Sequence, residues 1–273
     1  MTASTSPLSP PAGRIRVGTS GYSYTEWVEA GIYPAGTRAP DMLALYARQF
    51  PATELNFTWY QMPKAQTIER MRSLAPADFR FTAKLTRTLT HEVDADAWRG
   101  QAAQYRDGIA PIVQSRQLAA VLLQFPPGFT RGPDARRYLS ELLDELQGLP
   151  LAVEFRHRSW AHDRVFAELE RRRVCLAAVD APALPGLFPR LDVVTHPELF
   201  YVRFHGRNDR GWRSGNKQKQ FDYDYTEAEL REWTEGPIRR MAAQTAAGFV
   251  FFNNHVRGQA PRNAVQFVRL LGG

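Results

Sequence analysis

The sequence of 273 residues contains a single cysteine and no apolar run of the ~18 residues that a membrane-spanning helix needs. One cysteine excludes an intramolecular disulfide. Cys175 lies in the apolar run 174–179, where we expect a small buried side chain, because a reactive thiol needs exposure and an electropositive partner. The lack of long apolar runs predicts a protein that does not span a membrane.

Residues 1–13 also lack an apolar segment and are rich in Ser, Thr and Pro. This composition is typical of a flexible tail and not of a secretory signal peptide. We therefore expect a cytoplasmic protein. No linker, internal repeat or second core is visible after the tail, so residues 14–273 are predicted to form a single domain.

Several cofactor and nucleophile motifs are missing as well. The glycine-rich segment that contains Gly18, Gly21 and Tyr22 is not GxGxxG, a P-loop or GxSxG. Its glycines permit a tight turn or a close approach of the backbone to a ligand, but they do not indicate a phosphate cradle or a serine nucleophile. Nothing in the sequence indicates a nicotinamide, flavin or haem cofactor.

What the chain does have is an excess of positive charge. Its formal net charge is +7 and its pI is about 9.7. Hydrophobic residues make up 44% and charged residues 23% of the sequence, which excludes collagen-like, disulfide-scaffold and wholly disordered chains. A basic excess favours anionic partners such as phosphates, carboxylates or nucleic acid, although it says nothing about the fold.

Eight short apolar runs are predicted strands, at residues 14–20, 53–58, 80–85, 119–125, 151–156, 174–180, 199–206 and 248–254. Helices are predicted at 39–49, 64–74, 95–109, 133–147, 161–173, 226–246 (divided at Gly236-Pro237) and 262–271. This alternation implies right-handed crossovers and a parallel sheet. We predict an α/β fold, a single (β/α)8 TIM-type barrel, with an irregular connection between strands six and seven and a long polar loop after strand seven.

Side-chain alternation along these strands predicts which residues point into the barrel. Val153 and Phe155 are apolar and should face the helices, so Glu154 and Arg156 should face the axis. The same reasoning turns other polar residues inward: Glu54, Asn56, Thr82, Lys84, Gln124, Asp180, Arg203, His205 and one of Asn253 and Asn254. Internal ion pairs would explain individual members of this set. A convergent site explains the whole set better, because an apolar filling would be at least as stable.

Further polar and aromatic residues follow the strand ends, where barrels of this type carry their chemistry. The candidate catalytic residues are Glu54, Lys84, Glu154, Asp180 and His205. The candidate substrate-binding residues are Tyr22, Trp27, Asn56, Tyr60, His91, Gln124, Arg156, His157, Arg203, Arg207, Asn253 and Asn254. The loop after strand seven also holds Arg210, Arg213, Lys217 and Lys219, for which anion contact and simple solvation are both open.

The order of these short motifs resembles the DUF72 (YecE-like) family of uncharacterised proteins over nearly the whole chain after the tail. The resemblance rests on residues 17–24, 54–60, 81–84, 124–129, 154–160, 201–207 and 252–254, together with Asp180. One departure is Tyr22, where the family pattern usually has Trp. The resemblance implies a TIM barrel, in agreement with the strand count, and supplies no reaction, so function has to be argued from the site.

The leading hypothesis is an enzyme that acts on an anionic, phosphorylated or carboxylated substrate by acid–base chemistry. Lys84 or His205 would act as base or acid with a pKa adjusted by Glu54 or Glu154. Arg156 and Arg203 would clamp the anion, and Asn56, Gln124 and Asn254 would orient the rest. Lys84, if desolvated among arginines, could also form a Schiff base.

Three other interpretations stay open. Glu154, Asp180 and His205 could bind a divalent metal for isomerisation or phosphoester cleavage, with the nearby arginines opposing a cation. The basic charge and the aromatic residues also fit a nucleic-acid-binding protein. A non-catalytic ligand-binding protein would use the same pocket. Glycoside hydrolysis is disfavoured, because Glu54 and Glu154 lie on strands two and five rather than flanking one bond.

Overall fold

The structure, a computed structural model, describes residues 14–272, so the predicted tail at 1–13 lies outside it. Eight parallel strands close into a barrel in chain order, which confirms the predicted fold. They are β1 (Ile15–Ser20), β2 (Ala52–Leu55), β3 (Arg80–Lys84), β4 (Leu118–Gln124), β5 (Leu151–Glu154), β6 (Cys175–Asp180), β7 (Leu199–Phe204) and β8 (Ala247–Phe252).

Helices surround the barrel and also cover its carboxyl-terminal end. They are α1 (Glu26–Glu29), α2 (Ala39–Tyr46), α3 (Phe57–Tyr60), α4 (Ala65–Ser73), α5 (Trp98–Gln114), α6 (Pro133–Glu145), α7 (Asp163–Arg171), α8 (Asp209–Arg213), α9 (Lys217–Gln220), α10 (Glu227–Glu235), α11 (Pro237–Ala242) and α12 (Gln259–Leu271). Within residues 14–272, no helix is both long enough and apolar enough to cross a lipid bilayer.

Most predicted elements are confirmed, with shifts at their ends. The sixth predicted helix does divide at Gly236-Pro237, into α10 and α11, because proline suits a first helical turn and not an interior. The second strand is shorter than predicted. It ends at Leu55, and Thr58 then donates hydrogen bonds to the carbonyls of Leu55 (2.8 Å) and Lys84 (2.6 Å), which turn the chain into α3.

The two predicted irregularities lie side by side at the mouth, the carboxyl-terminal end of the barrel. Residues 181–198 form neither helix nor strand apart from one bridge, in which Leu187 pairs with His157 after β5. The polar loop after β7 runs from residue 205 to 225 and contains only the short helices α8 and α9. Both loops therefore project over the same end of the barrel.

The barrel interior divides into an apolar lower half and a polar upper half. Toward the amino-terminal end of the strands it is filled by Ala52, Leu122, Ala177, Tyr201 and Phe251, all buried. Nearer the mouth, the buried inward residues are polar. The prediction of a polar interior thus holds for the half next to the mouth, where a site would open to solvent.

Candidate functional site

A cavity of about 770 Å³ opens at the mouth of the barrel. Its floor carries polar side chains from six strand ends: Asn56, Lys84, Gln124, Arg156, Arg203 and Asn253. His91 lies on one side of it. Among the described residues, no aspartate or glutamate lines this cavity. The charged groups that face its contents are therefore cationic.

Arg203 of the floor joins two buried carboxylates that lie beneath it. Its Nη2 and Nε donate to Oε1 and Oε2 of Glu54 at 2.5 and 2.9 Å, and its Nη1 donates to Oε2 of Glu154 at 2.6 Å. Glu54 accepts two more hydrogen bonds, from Ser20 Oγ and Tyr201 OH, both at 2.7 Å. Because all three nitrogens of its guanidinium are used, Arg203 does not provide the free clamp predicted from the sequence. It organises the two carboxylates instead.

Arg156 is bound differently and keeps one nitrogen available. Its Nε forms an ion pair with Glu154, and its Nη2 lies 3.0 Å from Nε2 of His205. No described residue makes a hydrogen bond to its Nη1, and the side chain lines the cavity. Arg156 is therefore the guanidinium in this cluster that can donate to a bound anion.

Glu154 stays ionised within this cluster. Burial opposes its ionisation, but the guanidiniums of Arg156 and Arg203 outweigh that effect and hold the pKa of Glu154 well below 4.5. The two carboxylates and two guanidiniums consequently balance each other in charge. A paired arrangement is what allows ions to persist away from water.

His205 lies below the cavity and not on its surface. It is fully buried, with Nε2 between the nitrogens of Arg156 (3.0 Å) and Arg203 (3.3 Å), and with Nδ1 3.0 Å from the side-chain amide of Asn253. Burial and the charge of Arg156 lower its pKa well below 6.5. Nε2 also lies 3.3 Å from Oε1 of Glu154, so the neutral ring can accept from a guanidinium or donate to this carboxylate at Nε2, according to its tautomer.

Lys84 is the cation of the floor that has no carboxylate partner. Its Nζ lies 4.9 Å from the centre of the Trp59 ring, and none of the described carboxylates forms an ion pair with it. Burial, followed by the charge of Arg203, lowers its pKa from 10.5 to about 7. Both the ammonium and the free amine are therefore populated near neutral pH.

Aromatic side chains form the walls above this floor. Trp59 and Tyr60 come from α3, Trp212 from α8, Phe221 from the segment after α9, and Tyr24 stacks on His255 at 4.7 Å. Leu184, Pro185 and Leu187 from the irregular β6–β7 connection close another side, together with Pro126 and Pro127. Flat apolar faces of this kind can stack on a ring of a ligand.

Asp180 does not reach the cavity. Its carboxylate points outward, where it accepts from Tyr225 OH (2.7 Å), from Trp233 Nε1 (2.6 Å) and from two nitrogens of Arg207. Neighbours Ala178 and Leu176 face the same outer layer. The inward prediction for Asp180 was wrong, and Glu154, Asp180 and His205 do not converge. Among residues 14–272, no group of three or more His, Cys, Asp or Glu could hold a metal ion.

Arg207 consequently stabilises the loop after β7 and does not line the cavity. It pairs with Asp180 and also with Glu232 of α10 at 3.0 Å. Arg213 pairs with Asp209 at 2.8 Å, whereas Arg210 and Lys219 are exposed. The side chain of Lys217 lies outside the described part of the structure. Among the described side chains of the loop, Trp212, Gln220 and Phe221 line the cavity, whereas Arg207, Arg210, Arg213 and Lys219 do not.

Four other predicted binding residues have structural contacts instead. Trp27 is buried and donates from Nε1 to the carbonyl of His255 at 2.9 Å. Tyr22 packs on the core beside Tyr46. His157 caps a short turn through Ser159. Asn254 donates to the carbonyl of Tyr223 and to Asn263 Oδ1. None of the four lines the cavity.

Eight of the predicted residues do line the cavity: Asn56, Tyr60, Lys84, His91, Gln124, Arg156, Arg203 and Asn253. Glu54, Glu154 and His205 form the layer directly beneath. Trp212, Phe221 and His255 are wall residues that were not predicted. Their signal was present, because Trp212 and Phe221 are two of the four aromatics in the polar loop after β7, and a histidine follows the asparagines after β8.

Comparisons with known proteins agree with this architecture. The model of the family described as "Protein of unknown function DUF72" matches residues 16–273. The UPF0759 protein YunF of Bacillus subtilis is 28% identical over 254 residues, covering 88% of this chain and 90% of that protein. A solved DUF72 family structure from Thermotoga maritima is 33% identical with a TM-score of 0.86, covering 95% of this chain and 99% of that one. Another, from Enterococcus faecalis, is 26% identical with a TM-score of 0.86, covering 95% and 96%.

Proposed function

This chain belongs to the DUF72 family, whose function is unknown. From the geometry of its site, we propose that it is an enzyme acting on an anionic substrate by acid–base chemistry. The observation that carries the proposal is the charge of the cavity. Lys84, Arg156 and Arg203 line it, while the carboxylates of Glu54 and Glu154 lie beneath and are fully engaged.

The charges around the floor leave one positive charge without a partner. Arg156 and Arg203 are balanced by Glu54 and Glu154, and His205 is neutral. The ammonium of Lys84 is therefore the uncompensated charge. A cation away from water is stabilised by an opposite charge nearby, so a bound phosphate or carboxylate would complete the cluster. Nη1 of Arg156 offers that anion a charge-assisted hydrogen bond, so the Arg156 guanidinium is the anion seat of the cavity.

Lys84 also provides the proton transfer. A group with a pKa of about 7 is an efficient general acid or base at neutral pH, because both of its forms are present. The main chain of Lys84 is held in place, since Thr58 Oγ1 and Tyr105 OH donate to the Lys84 carbonyl at 2.6 and 3.2 Å. In the substrate complex, the anion of the substrate would bind Arg156. The amine of Lys84 would then take a proton from a neighbouring carbon or hydroxyl of the same substrate.

The aromatic walls restrict the substrate to an organic anion. Trp59 borders Lys84, and Trp212 lies over the guanidinium of Arg156 at 5.3 Å. An inorganic ion would leave these faces uncovered. A substrate with a ring or carbon chain attached to its phosphate or carboxylate would cover them and would bury apolar area.

The anion seat can be tested by measuring ligand affinity. We would determine the melting temperature with phosphorylated sugars, short carboxylates, nucleotides, oligonucleotides and uncharged sugars, since a ligand that binds only the folded state raises it. For the best anion, Arg156→Gln removes a charged hydrogen bond worth about 1.5–3 kcal/mol, so its Kd should rise by about 10- to 100-fold. Arg70→Gln removes an exposed charge from α4 and should leave the Kd unchanged.

Proton transfer is tested with the same ligand in deuterated water. Proton abstraction at carbon exchanges a ligand hydrogen for deuterium, which NMR detects, and Lys84→Met should abolish this exchange while the folded protein remains. Stabilisation by uncharged sugars and anions alike would refute the anion seat. A response to oligonucleotides alone, lost in salt, would replace the proposal with nucleic-acid binding.

A further inference from the structure

We propose that Lys84 is also a nucleophile, whose amine forms an imine with a carbonyl compound that carries a phosphate or carboxylate. This inference rests on the proposed function, because it uses the same cavity and the same anion seat. It goes further in assigning a covalent intermediate and a substrate class. Three features of the structure support it: the access to the amine, the fixed cations that act on it, and the anion seat on the same floor.

Lys84 lines the cavity without an ion pair to any described carboxylate. It is one of four lysines in the sequence and lies at the end of β3. Its Nζ rests near the face of the Trp59 ring, at 4.9 Å from the ring centre. A ligand carbonyl can therefore approach it without breaking an ion pair.

The two guanidiniums whose charges act on Lys84 are each held by buried carboxylates. Arg203 is held by Glu54 and Glu154, and Arg156 is held by Glu154. A lysine in a desolvated site beside fixed cations is favoured in its neutral form, which is the nucleophilic form. The pKa of about 7 for Lys84 agrees with this geometry.

The anion seat would determine which carbonyl compounds react. Arg156 and Lys84 line the same floor, and Gln124 ends β4, the strand between β3 and β5. A substrate whose charged group binds Arg156 therefore presents a nearby carbonyl carbon to the amine. Two classes share this chemistry, 2-oxo acids and aldehyde phosphates, and they differ in the anion and in its distance from the carbonyl.

The step balances without any further reagent. The neutral amine attacks the carbonyl carbon, a carbon–nitrogen bond forms, and the carbon–oxygen double bond becomes a hydroxyl of the carbinolamine. The two amine protons then leave with that oxygen as one water molecule. The product is the imine, and hydrolysis reverses the step.

Borohydride trapping tests the inference directly. The intact protein is incubated with pyruvate or with glyceraldehyde 3-phosphate and sodium borohydride, which reduces an imine to a stable secondary amine. Peptide mass spectrometry then locates the adduct. We expect it on Lys84 in the wild type and in Lys64→Arg, a variant of an exposed lysine, and we expect its loss in Lys84→Arg, which keeps the charge. Which carbonyl compound reacts distinguishes the two substrate classes.

The controls separate this inference from the proposed function. Glycerol 3-phosphate carries the anion without a carbonyl and should raise the melting temperature and compete with adduct formation. If it stabilises the protein while no adduct forms on Lys84, or if labelling is equal on Lys64 and Lys84, the imine is refuted and the anion seat stands. If no anion stabilises the protein and no adduct forms, both proposals fail. Should Lys84→Arg not fold, Lys84→Gln takes its place.

Discussion

Arg203 holds Glu54 through two hydrogen bonds, Nη2 to Oε1 at 2.5 Å and Nε to Oε2 at 2.9 Å, across the closed interior of the barrel. The two residues come from β7 and β2, which are not neighbours in the sheet. Both side chains are buried. This bidentate pair therefore links two non-adjacent strands of the barrel directly beneath the cavity.

Removing the arginine from this pair should destabilise the fold. Arg203→Met leaves the carboxylates of Glu54 and Glu154 buried with one guanidinium fewer, and breaking a buried pair costs about 3–5 kcal/mol. Urea unfolding at neutral pH measures the loss. Arg99→Met, which breaks an exposed pair with Glu141, should cost far less. Equal losses in the two variants would contradict the structural role of Arg203.

Asp180 should matter for stability and not for metal binding. Asp180→Asn places an amide among the donors Arg207, Tyr225 and Trp233, so the free energy of unfolding should fall by about 3 kcal/mol. Asp209→Asn, at an exposed pair in the same loop, serves as the control. Divalent metals should shift the melting temperature of wild type and Asp180→Asn equally. A response lost only in Asp180→Asn would restore the metal hypothesis.

Lys84 should make stability depend on pH in the alkaline range. Its pKa is about 7 in the folded protein against an ordinary 10.5, so between these values the unfolded chain binds more protons. The contribution of Lys84 to stability is therefore complete above the ordinary pKa and is lost as the pH falls toward 7. The stability of Lys84→Met relative to wild type should be more favourable at about pH 7 than at about pH 9.5 in urea unfolding.

The matched variant for this pH comparison is Lys64→Met, because Lys64 is exposed at the start of α4. Its stability relative to wild type should not change between the two pH values. The same pH response in both variants would show that Lys84 has no special environment.

Gly206 should be required for the position of the loop after β7. Its φ is +88°, and an added Cβ would lie 2.6 Å from Cβ of Tyr223. Gly206→Ala should therefore lower the free energy of unfolding by more than the ~1–2 kcal/mol of the left-handed conformation itself. Gly215→Ala is the control, because φ is +67° there and no atom lies within 4 Å of the added Cβ. It should lose only the free energy of the left-handed conformation. If thermal or urea unfolding shows the same loss of stability for Gly206→Ala and Gly215→Ala, the contact with Tyr223 does not contribute.

Side-chain alternation predicted the orientation of a strand where its two faces differ in chemistry. In β5, Val153 is apolar and Glu154 is charged, and the glutamate does face the axis. In β6, Ala177 and Ala178 are both apolar, so the pattern could not show that Asp180 points outward. At the end of β8, two asparagines follow each other, and only the structure shows that Asn253 meets His205 while Asn254 turns away.

The sequence by itself determined the barrel, the polar strand ends and their charge, because these depend on local periodicity and on the residue types themselves. Only the tertiary structure decided which charges meet. Arg203 and Arg156 look equivalent in sequence, yet the first is enclosed by two carboxylates and the second keeps a nitrogen for the cavity. The pKa of Lys84 is lowered because burial and the charge of Arg203 disfavour its ammonium. Such environments arise from strands and loops that are distant in the chain, so no local pattern contains them.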